Sequence, residues 1–209
     1  MNTSKELIAQ ELLQIKAIKL SPANPFTWAS GWKSPIYCDN RKILSYPKTR
    51  DIVKNAFADK VKDIYGLPDV IAGVATGAIA HGVLVAELLN IPFVYVRSAS
   101  KQHGLSNQIE GALKTGQKVV VIEDLVSTGG SSLKAVEALR KAGAEVLGML
   151  AIFSYGFSVA DENFKKANCR LDTLTDYFTL IEKAVEHDYI LPEEIKTLQI
   201  WRKSPETWA

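Results

Sequence analysis

The chain has 209 residues, of which 47% are hydrophobic and 23% are charged, and its 25 basic and 23 acidic residues leave a formal net charge of +2. This composition is typical of a globular protein and excludes collagen-like and intrinsically disordered chains. The near balance of charge argues against a dedicated nucleic-acid binder, which needs a strongly positive face.

The cysteines and the distribution of charged residues indicate the cellular location of the protein. Cys38 and Cys169 are far apart in the sequence and outside any Cys-x-x-Cys or Cys/His cluster, so neither a disulfide framework nor a zinc site is indicated. We therefore expect a reducing, cytoplasmic location. Residues 1–14 carry charges that a signal peptide would not have, and the longest uncharged stretch, 70–86, is too short to span a membrane.

The first third of the chain predicts two helices with an irregular segment between them. A helical apolar stripe begins at Ile8, and we predict that this helix ends before Ser21 and Pro22. Residues 22–47 are rich in Pro, Ser, Gly and aromatic residues, which indicates a packed cap that we call the hood. A second helix is predicted from Pro47 to a glycine stop at Gly66.

From residue 69 onward, apolar strand-like runs alternate with helical stripes. Such alternation predicts an α/β fold, with a parallel sheet flanked by helices in a single domain over residues 1–209. The predicted strands are 69–74, 93–97, 119–122 and 146–153, and the predicted helices are 79–89, one that follows residue 130, 177–186 and 192–202.

The segment KVVVIEDLVSTGGSS at 118–132 places two carboxylates and a small-residue loop between a buried strand and a helix. Hydroxyls and unhindered amides at a helix N-terminus favour a bound phosphate. Glu123 and Asp124, just before this loop, supply acceptors for sugar hydroxyls. The segment lacks the Lys of a Walker A loop and the Gly-x-Gly-x-x-Gly pattern, which argues against an NTPase or a Rossmann dehydrogenase.

Residues 118–132 resemble the 5-phosphoribosyl 1-diphosphate (PRPP) signature of type I phosphoribosyltransferases. Two further segments narrow the resemblance to the orotate phosphoribosyltransferases: residues 26–41, FTWASGWKSPIYCDNR, resemble their N-terminal hood, and residues 97–104, RSASKQHG, resemble their mobile catalytic loop. Together with GVATG at 73–77, the similarity runs along nearly the whole chain in the family's order.

The resemblance implies a type I phosphoribosyltransferase-like sheet with a small hood, formed mainly within residues 1–45 and with a possible C-terminal contribution. It implies a pentosyltransferase of pyrimidine biosynthesis that converts orotate and PRPP to orotidine 5′-monophosphate and diphosphate. Mg²⁺ would arrive with PRPP, without a metal site of the protein's own. The implied assembly is a homodimer with active sites shared between subunits, without nucleic-acid or membrane partners.

The resemblance also assigns roles to individual residues. Arg97, Lys101 and His103 would act catalytically on the diphosphate, with their loop reaching into the neighbouring subunit's site. Ser127 and Tyr37 would contact orotate. The remaining PRPP contacts fall on consecutive positions, with Glu123 and Asp124 on the ribose hydroxyls and the loop on the 5′-phosphate: Glu123, Asp124, Leu125, Val126, Ser127, Thr128, Gly129, Gly130 and Ser131.

The sequence departs from some relatives at basic positions. Ala29, Gly77 and Ser98 stand where some relatives have Lys, and residues 154–156, Ser-Tyr-Gly, stand where some have Arg. The partner of the orotate carboxylate therefore stays open. Two other functions are weighed against the leading one. A phosphoribosyltransferase for a purine or another base is disfavoured by the hood sequence. A regulator that keeps the PRPP fold as a nucleotide sensor on DNA or RNA is disfavoured by the near-neutral charge and the full catalytic loop.

Overall fold

The computed structural model describes residues 4–28, 30–97 and 108–208. Within these ranges, two short 3-10 helices cover Asn40–Ser45 and Pro192–Glu194. None of the described helices combines the length and the apolar character that a membrane crossing requires. The described α-helices are α1 (Ser4–Gln14), α2 (Pro47–Tyr65), α3 (Ile79–Leu89), α4 (Gly130–Lys141), α5 (Ser158–Lys166), α6 (Tyr177–Glu186) and α7 (Ile195–Lys203).

The strands form one large sheet and two small antiparallel ribbons. One ribbon pairs residues 18–20 with residues 36–38, and the other pairs residues 26–27 with residues 33–34, so the hood contributes to both. The described strands are β1 (Ile18–Leu20), β2 (Phe26–Thr27), β3 (Lys33–Ser34), β4 (Ile36–Cys38), β5 (Val70–Val74), β6 (Phe93–Val96), β7 (Ile109–Glu110), β8 (Lys118–Val126), β9 (Glu145–Ser154) and β10 (Leu171–Asp176).

The large sheet has the strand order β10-β9-β8-β5-β6-β7. Its neighbours pair in parallel, except that β7 runs antiparallel to β6. The chain places β6 on one side of β5 and then returns to place β8 on the other side. Ligands of open α/β sheets bind at the carboxyl ends of the strands where the order reverses in this way. The fold therefore directs a ligand to the crevice between β5 and β8.

Helices pack on the central strands. Helix α3 packs on β5, β6 and β8, while α4 packs on β6, β8 and β9. Right-handed crossovers that leave β5 and β8 in opposite directions place these two helices on opposite faces of the sheet. Every residue of β5 is consequently buried, as are the apolar residues 119–122 of β8. The predicted α/β fold with a parallel, helix-flanked sheet is confirmed.

The hood is anchored by the C-terminal helix. The Trp28 ring lies 5.2 Å from the Tyr155 ring and 5.7 Å from the Trp201 ring, measured between centroids. Trp201 of α7 is fully buried, and the Trp28 indole Nε1 donates to the main-chain oxygen of Ile36 at 3.0 Å. The C-terminal helix thus holds the hood against the end of β9.

Two local predictions are incomplete. The first helix ends before Ser21 as expected, but already at Gln14, because Lys16 takes a left-handed conformation with φ of 55°, and residues 18–20 form the unpredicted β1. Beyond Tyr155 the prediction contains only two helices, whereas the structure adds α5 and β10. Strand β10 lies at the edge of the sheet and carries Asp and Thr, and α5 is short and polar, so neither has the apolar pattern of a central element.

Candidate active site

A cavity of about 380 Å³ opens at the carboxyl ends of β5 and β8. Three segments that are distant in sequence contribute to it: the hood, the loop after β5, and the carboxylate motif with the first turn of α4. The topology therefore joins the motifs of the sequence in one crevice. The lining residues are Cys38, Asp39, Arg41, Val74, Ala75, Thr76, Gly77, Glu123, Asp124, Leu125 and Ser131.

A second cavity of about 150 Å³ shares Val74, Ala75 and Ser131 with the first. Its charged lining residues are Arg97 and Lys134, whereas the first cavity carries three carboxylates beside Arg41. Lys134 is not among the residues predicted from the sequence, although its i,i+3 spacing from Ser131 places both on one helix face. The crevice thus has an acidic part and a basic part.

The loop between β8 and α4 is shaped by Gly129. Its φ is 80°, and a Cβ there would lie 2.7 Å from a ring carbon of Phe164 in α5, so a side chain cannot be accommodated. Gly129 is also the N-cap of α4 and supplies no side-chain cap, which leaves first-turn amides open to a ligand. Asn163, also in α5, donates to the Thr128 main-chain oxygen at 3.0 Å. The unpredicted helix α5 therefore helps to set this loop.

Glu123 forms a buried wall of the crevice. Its side chain is buried, Oε2 accepts from Ser132 Oγ at 2.7 Å, and Oε1 accepts from the Asp124 main-chain N–H at 2.9 Å. Burial, and secondarily the neighbouring Asp124 carboxylate, raise the pKa of Glu123 well above its ordinary value. The structure thus keeps a carboxyl group in a place that penalises its charged form.

We expect Glu123→Gln to unfold at a higher temperature than the unmodified chain, by a margin that grows with pH. A carboxyl with a raised folded-state pKa stabilises the protein most below the unfolded-state pKa, about 4.3 for Glu, and this stability is lost as pH rises toward the folded-state pKa. Melting temperatures measured from acidic to alkaline pH check this expectation. The exposed Glu145→Gln is the control, and parallel pH curves for unmodified protein and Glu123→Gln would contradict it.

Asp124 is less buried than Glu123 and lies beside the loop that follows β5. A Cβ on Gly77 would lie 2.2 Å from Asp124 Oδ2, so the glycine leaves the space that the carboxylate occupies. The Asp124 main-chain oxygen accepts from Asn40 Nδ2 at 2.6 Å. The Ala75–Thr76 peptide in the same loop is cis. The Asp124 carboxylate therefore borders the cavity beside a close backbone approach.

The other predicted site residues have different positions. Arg97 follows β6, lines the second cavity, and lies 3.5 Å from Glu110 Oε1 through Nη1. Tyr37 is 39% exposed on β4 and is not among the lining residues of either cavity. Lys101 and His103 lie outside the described residues, so their predicted roles stay predictions.

The turn at residues 154–156 receives an arginine from α7. Arg202 Nε donates to the Tyr155 main-chain oxygen at 3.1 Å, and Nη2 donates to the Gly156 main-chain oxygen. Its guanidinium also lies 4.3 Å from the centre of the Phe178 ring. The C-terminal helix thus braces the end of β9.

Comparison with known proteins places this arrangement in a family. The phosphoribosyl transferase domain family matches residues 39–189. Two similar curated proteins are both called orotate phosphoribosyltransferase: one from Porphyromonas gingivalis, 60% identical over all of both chains, and one from Listeria innocua, 56% identical over 97% of each.

A solved structure of the same family has a similar fold. The crystal structure of orotate phosphoribosyltransferase from Aeropyrum pernix covers 84% of this chain and 97% of its own, with a TM-score of 0.75 and 29% identity. The sequence resemblance is therefore confirmed along the full length and in three dimensions. The chain belongs to the phosphoribosyl transferase domain family and, within it, to the orotate phosphoribosyltransferases.

Proposed function

We propose that the chain transfers the 5-phosphoribosyl group of PRPP to orotate, giving orotidine 5′-monophosphate and diphosphate. The observation that carries this proposal is the crevice at the β5/β8 switch point, where hood, carboxylates and the open N-terminus of α4 meet. PRPP carries a phosphate, a sugar diol and a diphosphate, and the crevice offers one kind of partner for each.

Different residues of the crevice would bind different groups of the two substrates. The amides and hydroxyls of residues 127–131 would hold the 5′-phosphate at the N-terminus of α4. Glu123 and Asp124 would accept from the ribose hydroxyls, with Asp124 as the more accessible carboxylate. Arg97 and Lys134 would meet the diphosphate from the basic part of the crevice. Ser127 and Tyr37 would flank orotate.

The reaction displaces diphosphate from C1′ of the ribose by a ring nitrogen of orotate. Positive charge develops on the ribose while negative charge develops on the leaving oxygen. Cations fixed in advance near the leaving group stabilise that charge without reorganisation at the moment of reaction. Arg97 and Lys134 from the same subunit, with Lys101 and His103 from its neighbour, would supply them, and closure over the crevice would exclude water from the activated sugar.

Mg²⁺ fits this crevice as a substrate-borne ion. Mg²⁺ commonly binds one or two carboxylates together with substrate phosphates, and Asp39 and Asp124 both line the cavity. The ion would neutralise charge on the diphosphate when bound with PRPP.

Helix α3 supports the proposed homodimer. Its exposed face carries Val83 and Leu88, each 43% exposed, together with the charged Glu87. A second copy of the chain would remove the apolar area of Val83 and Leu88 from water. The cytoplasmic location expected from the free cysteines stays a prediction.

We expect purified protein to consume orotate only when PRPP and Mg²⁺ are both present. The decrease in orotate ultraviolet absorbance measures the reaction, with either component omitted as the control. Uracil and hypoxanthine should be poor substrates. Efficient use of hypoxanthine with orotate inert would replace the orotate assignment by the purine alternative.

A further inference from the structure

A hydrogen bond joins the hood to the carboxylate motif beneath the cavity. Asn40 begins the 3-10 helix of the hood and is 1% exposed. Its Nδ2 donates to the main-chain oxygen of Asp124 at 2.6 Å, across a separation of 84 residues. The flanking residues Cys38, Asp39 and Arg41 line the cavity. Asn40 therefore links the lining segment of the hood to the lining strand β8.

Packing alone does not account for an asparagine at this position. Asn40 Oδ1 is buried without a hydrogen-bond partner among the described residues. An unsatisfied buried acceptor is destabilising, but an apolar side chain of similar volume would remove the donor to the Asp124 main-chain oxygen. The amide therefore leaves one of its own atoms unpaired while its nitrogen binds the main chain of Asp124.

Asp124 is consequently constrained from two sides. Asn40 holds its main-chain oxygen, and the close approach of Gly77 defines the space for its carboxylate. We infer that Asn40 is a positioning residue, which fixes Asp124 so that its carboxylate meets the ribose diol of PRPP. This inference rests on the proposed function. Asn40 itself would not contact the substrate.

The test measures PRPP binding by isothermal titration calorimetry for Asn40→Ala. Losing one neutral hydrogen bond that orients a binding group should weaken PRPP binding by about three- to tenfold. Lys42→Ala is the matched control, because Lys42 lies on the same 3-10 helix and donates to the main-chain oxygen of Lys16 from an exposed position. We expect Lys42→Ala to bind PRPP like the unmodified protein.

A double-mutant cycle separates positioning from a general structural role. With Asp124→Ala as the background, adding Asn40→Ala should change PRPP affinity by less than about twofold, since the carboxylate to be positioned is gone. Equal losses in both backgrounds, or no loss in the unmodified background, would overturn the inference. Asn40→Leu keeps the side-chain volume and repeats the measurement if Asn40→Ala does not fold.

Two outcomes distinguish the inference from the proposed function. If the unmodified chain does not bind PRPP, the proposed function fails. If it binds PRPP and Asn40→Ala binds equally well, only the positioning role fails. If thermal melts show that both Asn40 variants are unfolded, the positioning role is also overturned, because Asn40 would then be needed for folding.

Discussion

Asp124→Asn is expected to weaken PRPP binding by about ten- to a hundredfold while the protein stays folded, because a charged hydrogen bond contributes about 1.5–3 kcal/mol. The amide has nearly the same shape but one acceptor fewer. Isothermal titration calorimetry with PRPP measures the change. Asp69→Asn is the control, since Asp69 directly precedes β5, at the amino ends of the strands and away from the crevice, and accepts from the Lys118 N–H.

Gly77→Ala tests the same carboxylate without changing charge. Because the new methyl would lie 2.2 Å from Asp124 Oδ2, the carboxylate must move, and PRPP binding should again fall. Unchanged affinity and unchanged turnover in both Asp124→Asn and Gly77→Ala would remove this carboxylate from the PRPP site. A loss in Asp124→Asn alone would show that the carboxylate can bind from a displaced position.

The centre of the fold is predictable from sequence because burial on both faces demands continuous apolar strands. Residues 119–122 are all apolar and fully buried, and the helix predicted at 79–89 has those bounds in the structure. Edge elements lack this constraint. Four of the six residues of β10 are polar because the strand closes the sheet on one side, which explains why a pattern of apolar runs misses it.

The candidate site also has a part that the sequence predicts and a part that it does not. Glu123, Asp124 and the loop after them are contiguous in the chain, so their shared chemistry is visible in one segment. The side chains that support them arrive through tertiary structure: Asn40 is 84 residues from Asp124, and Asn163 is 35 residues from Thr128. No local pattern marks such partners, because each is selected by a main-chain oxygen that only the folded chain brings near.

Removing Lys101 is expected to depress kcat by about a hundredfold or more, a preorganised-charge effect on the order of 3 kcal/mol. The family resemblance assigns Lys101 to the neighbouring subunit's site, whereas Asp124 lines the crevice of its own chain. Lys101→Ala and Asp124→Asn homodimers should therefore both be nearly inactive. Because the two residues act in the active sites of different subunits, activity should return when the two variants share a dimer.

In a mixed dimer of Lys101→Ala and Asp124→Asn, one site contains both substitutions and the other contains neither. Random pairing makes half of the dimers mixed, with one intact site in each, so co-refolding should restore about a quarter of the unmodified activity. Differential tags on the two variants confirm that mixed dimers form. If mixed dimers form and the sample stays as inactive as its components, Lys101 does not act across the subunit boundary, and the diphosphate must be met by cations of the same chain, such as Arg97 and Lys134.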